Sequence, residues 1–259
     1  MIRKYLRYYL RASNGKGHGM HSPFVFDFIT YVLNDNTKYP EYQKVEELRR
    51  RLKKDDRSIL VEDFGAGSIH ASGAARRVGE IARHAAKPPK FGQLLFRMIR
   101  HYKLTRVLEL GTSLGITTGY LGLTNPAAHI ITLEGAPGIA AVAKENLETL
   151  GLKNVEILVG NFDDTLPAFL KNNASPDLVF IDGNHRYEPT LRYFRELLAV
   201  AGNETMLVFD DIHWSAEMER AWEEIKQHPA VTGSIDLFFI GIVLLRKEFR
   251  EKQQFEIRF

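Results

Sequence analysis

The sequence predicts an α/β fold: a largely parallel sheet with helices on both faces and a mainly helical N-terminal extension. Three observations predict it. From Thr105 onward, short apolar runs alternate with longer stretches of helical periodicity. Each run ends at a polar residue or a glycine, as buried parallel strands do where they meet their loops. The last two runs are joined too tightly for a parallel crossover, so they must pair antiparallel.

The elements follow in order. Arg106-Val-Leu-Glu-Leu110, His129-Ile-Ile-Thr-Leu-Glu134, Val155-Glu-Ile-Leu-Val-Gly160, Asp177-Leu-Val-Phe-Ile-Asp182 and Thr205-Met-Leu-Val-Phe-Asp-Asp211 read as five parallel strands. Pro137 and Pro189 each suit the first turn of an intervening helix, where a missing N–H costs little. Residues 234–240 and 242–245, flanking Gly241, read as a C-terminal antiparallel hairpin, which brings the sheet to seven strands. Earlier in the chain, residues 2–10 place Ile2, Tyr5, Leu6, Tyr9 and Leu10 on one helical face. Arg3, Lys4, Arg7 and Arg11 lie largely opposite. The expected role is packing on the main domain, with peripheral membrane contact as the other reading. Residues 15–22 read as a loop, 42–54 as a charged helix and 82–86 as a helix end. The boundary falls between an N-terminal cap, 1–86, and a catalytic domain, 87–259.

Composition narrows the function. The chain has 259 residues and no cysteine, which excludes disulfides, thiolate metal sites and cysteine nucleophiles. No apolar run approaches the roughly 20 residues that span a bilayer, and no secretory signal is evident, so a cytoplasmic location is expected. Residues 1–103 carry 21 Lys+Arg against 10 Asp+Glu; residues 104–259 carry 14 against 22. So uneven a split suggests parts of different character, and the basic one could attract nucleic acid or anionic lipid.

The sharpest motif is Val107-Leu-Glu-Leu-Gly-Thr-Ser-Leu-Gly115. A buried strand runs into a glycine turn and then a helix, the place where such sheets bind ligands. Gly111 admits close backbone approach, and the helix N-terminus offers N–H groups. The spacing is G-x-x-x-G, which argues against a pyrophosphate-binding turn and a nicotinamide oxidoreductase. Glu134 ends the second strand, where a carboxylate can accept two ribose hydroxyls. Asn161 and Phe162 follow the third and offer an amide and a ring. Asp182 ends the fourth, and Asp210 and Asp211 end the fifth.

Residues 87–246 resemble the class I S-adenosylmethionine-dependent methyltransferases, and within them the small-molecule O-methyltransferase branch of catechol and macrolide-sugar type. That resemblance implies a Rossmann-like sheet and S-adenosylmethionine as cofactor. It implies that Glu109, Gly111, Thr112, Ser113 and Gly115 hold the methionine end, Glu134 the ribose, and Asn161 and Phe162 the adenine, with Asp182 also at the cofactor. It also implies Mg²⁺ on Asp182, Asp210 and Asp211, where oxygen donors bind two acceptor hydroxyls. In catechol-type relatives a lysine base occupies the position of His185, and this histidine could take that proton directly. His213 is a second candidate base or substrate ligand. Trp214 and Tyr187 could wall the acceptor pocket.

The expected reaction is methyl transfer to a small hydroxylated acceptor. The alternatives are an RNA methyltransferase using the basic N-terminal part and a non-catalytic cofactor-binding protein. A homodimer is a further expectation. Val61-Glu-Asp-Phe-Gly-Ala-Gly-Ser68 echoes the glycine turn but lacks a following strand–helix series, and is expected to be a loop on the substrate side.

Overall fold

The chain opens on α1 (Ile2–Arg11), and three later helices begin with proline, where a missing N–H costs little: α2 (Pro23–Asp27), α3 (Pro40–Leu52) and, after a hairpin and α4, α5 (Pro89–Tyr102). A π-helical segment, Phe28–Leu33, continues α2. The hairpin consists of β1 (Ser58–Glu62) and β2 (Ser72–Arg77), followed by α4 (Val78–His84). The alternating series then runs β3 (Arg106–Leu110), α6 (Ile116–Thr124), β4 (His129–Glu134), α7 (Pro137–Thr149), β5 (Val155–Val159) and α8 (Phe162–Asn172). It continues with β6 (Leu178–Ile181), α9 (Tyr187–Leu198), β7 (Met206–Asp210), α10 (Ala216–Gln227), β8 (Gly233–Asp236), β9 (Ile240–Leu244) and β10 (Gln253–Glu256). This computed structural model describes residues 1–13, 15–17, 20–62, 72–84 and 87–259. Most of the glycine-rich stretch 61–68 lies outside the described residues.

The main sheet has the order β10-β8-β9-β7-β6-β3-β4-β5. Strand β9 runs antiparallel to both β7 and β8, and β10 lies parallel to β8. The sheet therefore has eight strands where the sequence predicts seven. Gln253–Glu256 alternates half-buried and exposed residues with little apolar content, so it gives no strand signal of its own. The hairpin turn also differs. Gly241 sits inside β9, and residues 237–239 make the turn, with Phe238 in the left-handed region at φ 69°. Glycine is needed at 241 for packing, because a Cβ there would lie 2.7 Å from the Trp222 ring.

The chain divides into two compact units, residues 36–171 and residues 1–35 with 172–259. The boundary expected after residue 86 falls inside the first of these. In unit 36–171 the core joins Val45, Leu48 and Leu52 of α3 to Phe96 of α5 and Tyr120 of α6. The buried Tyr120 hydroxyl donates to Glu46 at 2.7 Å, and Glu46 also accepts from Arg49 at 2.9 Å.

In the other unit α1 docks by an edge. Tyr8, Ala12 and Tyr5 pack on Phe238, and the Tyr8 hydroxyl donates to the carbonyl of Ile257. Ile2, Leu6, Tyr9 and Leu10, the centre of the apolar face expected to pack, are exposed. The reason lies in the rings: the tyrosines at one border of that face fit the aromatic pair Phe238–Phe239, and the aliphatic residues are turned away from it.

Candidate active site

In unit 36–171 the ends of β3, β4 and β5 build a polar cradle. Chain direction reverses after β3 through Gly111, at φ 107°, whose N–H donates to the Leu133 carbonyl at 2.9 Å. Ser113 at φ 48° and Gly115 at φ 77° complete the turn into α6. No side chain caps α6, so its first N–H groups stay available to a ligand. The Ser113 N–H donates to Glu134 Oε2 at 2.8 Å and the Ala136 N–H to Glu134 Oε1 at 2.9 Å. Each carboxylate oxygen thus accepts from a backbone N–H, and a carboxylate oxygen can accept more than one hydrogen bond.

Glu109 has a different environment. It is fully buried, and its Oε2 accepts from Thr118 at 2.6 Å and Thr132 at 2.7 Å. Thr132 is its cross-strand partner in the β3–β4 ladder, so the register itself aims the hydroxyl at the acid. Because the Thr132 proton goes to Glu109, Thr112 is the donor in its 2.6 Å contact with Thr132. A relay Thr112–Thr132–Glu109 therefore locks the turn to the sheet beneath it. Asn161 caps α8, its Oδ1 accepting from the Asp163 N–H at 3.0 Å, with half-buried Phe162 beside it. The sequence reading missed Thr118, Thr132 and Ala136; a threonine opposite a buried glutamate in adjacent strands was the available signal.

In the unit formed by residues 1–35 and 172–259, the ends of β6 and β7 bring Asp182, His185 and Asp210 together. One ligand atom from each lies within 4.8 Å of the others. His185 Nε2 is 3.3 Å from Asp182 Oδ1, and Asp210 is buried. Asp211 is not a member of this group among the described residues. It leaves the strand at φ 54°, its N–H donating to the Phe239 carbonyl at 2.7 Å. Non-glycine residues with positive φ gather at these ends: Asn184 and His185 after β6, and Asp211 after β7. Each such residue costs about 1–3 kcal/mol, and sites that do chemistry are where such strain accumulates.

His213 belongs to a separate arrangement. Its Nε2 is 2.8 Å from Asp236 Oδ2, its Nδ1 is 3.4 Å from Glu219, and its ring stacks on Phe238. Asp236 also accepts from Trp222 Nε1 at 3.0 Å and from the Phe238 N–H at 2.8 Å. Burial pulls the imidazole pKa down, but the hydrogen bond and charge of Asp236, with Glu219, outweigh it and raise the value. Both ring nitrogens of His213 therefore face carboxylates, those of Asp236 and Glu219. Trp214 is 64% exposed. Tyr187 is held by Glu224 at its hydroxyl, with Arg220 4.0 Å over its ring.

Among known proteins, the family described as "Methyltransferase domain" matches residues 108–212. The catechol O-methyltransferase of Mycobacterium tuberculosis is 33% identical over 157 residues, covering 60% of this chain and 68% of that protein. Its counterpart in Niastella koreensis is 32% identical over 149 residues, covering 56% of this chain and 65% of that protein. The chain therefore spans about two thirds of the length of each. The Bacillus cereus O-methyltransferase, solved in complex with SAH, shares the fold. Its TM-score is 0.58 at 19% identity, over 82% of this chain and 93% of that one. The sequence matches and the sheet agree: the chain belongs to the class I S-adenosylmethionine-dependent methyltransferases, in the family of the catechol O-methyltransferases.

Proposed function

We propose that this chain transfers a methyl group from S-adenosylmethionine to a hydroxyl of a small catechol-type acceptor, beside a divalent cation. The gathering of Asp182, His185 and Asp210 carries the reading. Two carboxylates this close repel unless a cation lies between them, and their oxygens suit Mg²⁺. Asp182 and Asp210 are the proposed ligands, with Asp211 as a third on the strength of the family resemblance. A cation held there lowers the pKa of a neighbouring acceptor hydroxyl and orients it.

The chain's own groups do the rest. Glu134 accepts the ribose hydroxyls, the turn at Gly111–Gly115 and the α6 N-terminus hold the methionine end, and Asn161 and Phe162 border the adenine. His185 takes the proton from the acceptor hydroxyl. The oxygen lone pair then forms the new O–C bond as the C–S bond breaks. Its electrons remain on sulfur, which leaves as the thioether S-adenosylhomocysteine. Residues 87–259 are the proposed methyltransferase domain, with 1–86 as its N-terminal extension.

The test is transfer of labelled methyl from S-adenosylmethionine to catechol in the presence of Mg²⁺. Asp182→Ala and His185→Ala should each transfer far more slowly than the parent. An undiminished rate in either variant overturns that residue's role. An inactive parent chain, able to bind S-adenosylhomocysteine, overturns the acceptor class.

A further inference from the structure

α1 has three faces. Tyr5, Tyr8 and Ala12 anchor it to the body of the protein. Ile2, Leu6, Tyr9 and Leu10 form a stripe about 100° wide by helical geometry, and it faces solvent: Ile2 is 78% exposed and Leu10 80%. Arg3, Arg7, Arg11 and Lys4 follow on the third face, beside the stripe, and the helix contains no acid. Lys4 pairs with Glu219 at 2.8 Å, whereas Arg3, Arg7 and Arg11 form no ion pair among the described residues. These four cations, with His213 and Glu256, line a cavity of about 240 Å³.

We infer that α1 is an interfacial helix that docks the protein on an anionic lipid surface. An exposed aliphatic stripe is stabilised by entering the acyl boundary, and flanking arginines are placed to meet headgroup phosphates at the same level. The cavity walled by the cations gives one such phosphate a recessed seat. No described helix is long and apolar enough to cross a membrane; the proposal places α1 in the plane of the surface. Charge argues against the other occupants. A second copy pairing stripe to stripe would bring two acid-free rows of cations together, and like charges repel. A nucleic acid would engage the arginines but leave Ile2, Leu6 and Leu10 in water.

The test is co-sedimentation with phosphatidylcholine vesicles, with and without phosphatidylglycerol. The parent chain should bind the anionic vesicles, more weakly as salt rises, and leave the neutral ones. The double variant Arg7→Gln/Arg11→Gln should bind on the order of thirtyfold more weakly. Leu6→Gln/Leu10→Gln, at two exposed positions, should weaken binding at least tenfold with an unchanged circular dichroism spectrum. Equal binding to both vesicle types, no binding, or binding untouched by either double variant overturns the inference. Self-association abolished by Leu6→Gln/Leu10→Gln, without vesicle binding, would instead assign the stripe to a second copy. None of these readouts depends on methyl transfer.

Discussion

In residues 36–171, Glu109 and Glu134 are surrounded by donors from their own fold: two threonine hydroxyls for the first, two backbone N–H groups for the second. At the ends of β6 and β7, in the other compact unit, Asp182 and Asp210 instead gather with one another and with His185. Acids supplied with donors by the chain lower the energy of the fold and set its turn. Acids gathered with each other raise it, and the raised energy is what a bound cation relieves. On the proposed reading, the buried Glu109 serves architecture and the gathered Asp182 and Asp210 serve chemistry.

The contrast is sharpest under substitution. Asp210→Asn removes a proposed cation ligand, and methyl transfer to catechol should fall roughly thousandfold, the several kcal/mol such an ion supplies. Its melting temperature should stay within a few degrees of the parent, or rise. A variant that transfers normally, or that unfolds, would erase the distinction. Glu109→Ala acts the other way. It strips two charge-assisted hydrogen bonds from a buried site and should lower unfolding free energy by about 3 kcal/mol in urea. A loss below about 1 kcal/mol would mean the threonine relay is not structural. Glu134→Gln tests the one acid assigned both roles. Affinity for S-adenosylhomocysteine should weaken about ten- to a hundredfold, while Mg²⁺ binding stays unchanged.

The smallest effect concerns His213. Its pKa is raised in the folded state, so its contribution is fully present below the unfolded value of about 6.5 and is lost as pH rises through the folded value. Unfolding free energy should decline above pH 6.5, and His213→Gln should flatten that decline. A decline of the same size in the variant would place the titration elsewhere.

Much of this was legible in the sequence. Strands β3 and β4 fall where the apolar runs place them, because buried parallel strands write their period directly into the chain. The glycine turn and Glu134 were readable because only a few residue types suit those positions. What escaped depended on partners distant in sequence. β10 is a polar edge strand defined only by its register with β8. The partner of His213, Asp236, lies 23 residues on and is brought beside it only by the fold. α1 announces an apolar face, but the choice of which residues pack is made by Phe238 and Phe239.

The central claim is that the acids at the ends of β6 and β7 hold a divalent cation. Calorimetric titration of Mg²⁺ into protein saturated with S-adenosylhomocysteine tests it most directly. The account predicts saturable binding in the parent chain that is lost in Asp210→Asn and retained in Glu109→Gln. Absence of saturable binding in the parent, or binding undiminished in Asp210→Asn, would contradict it.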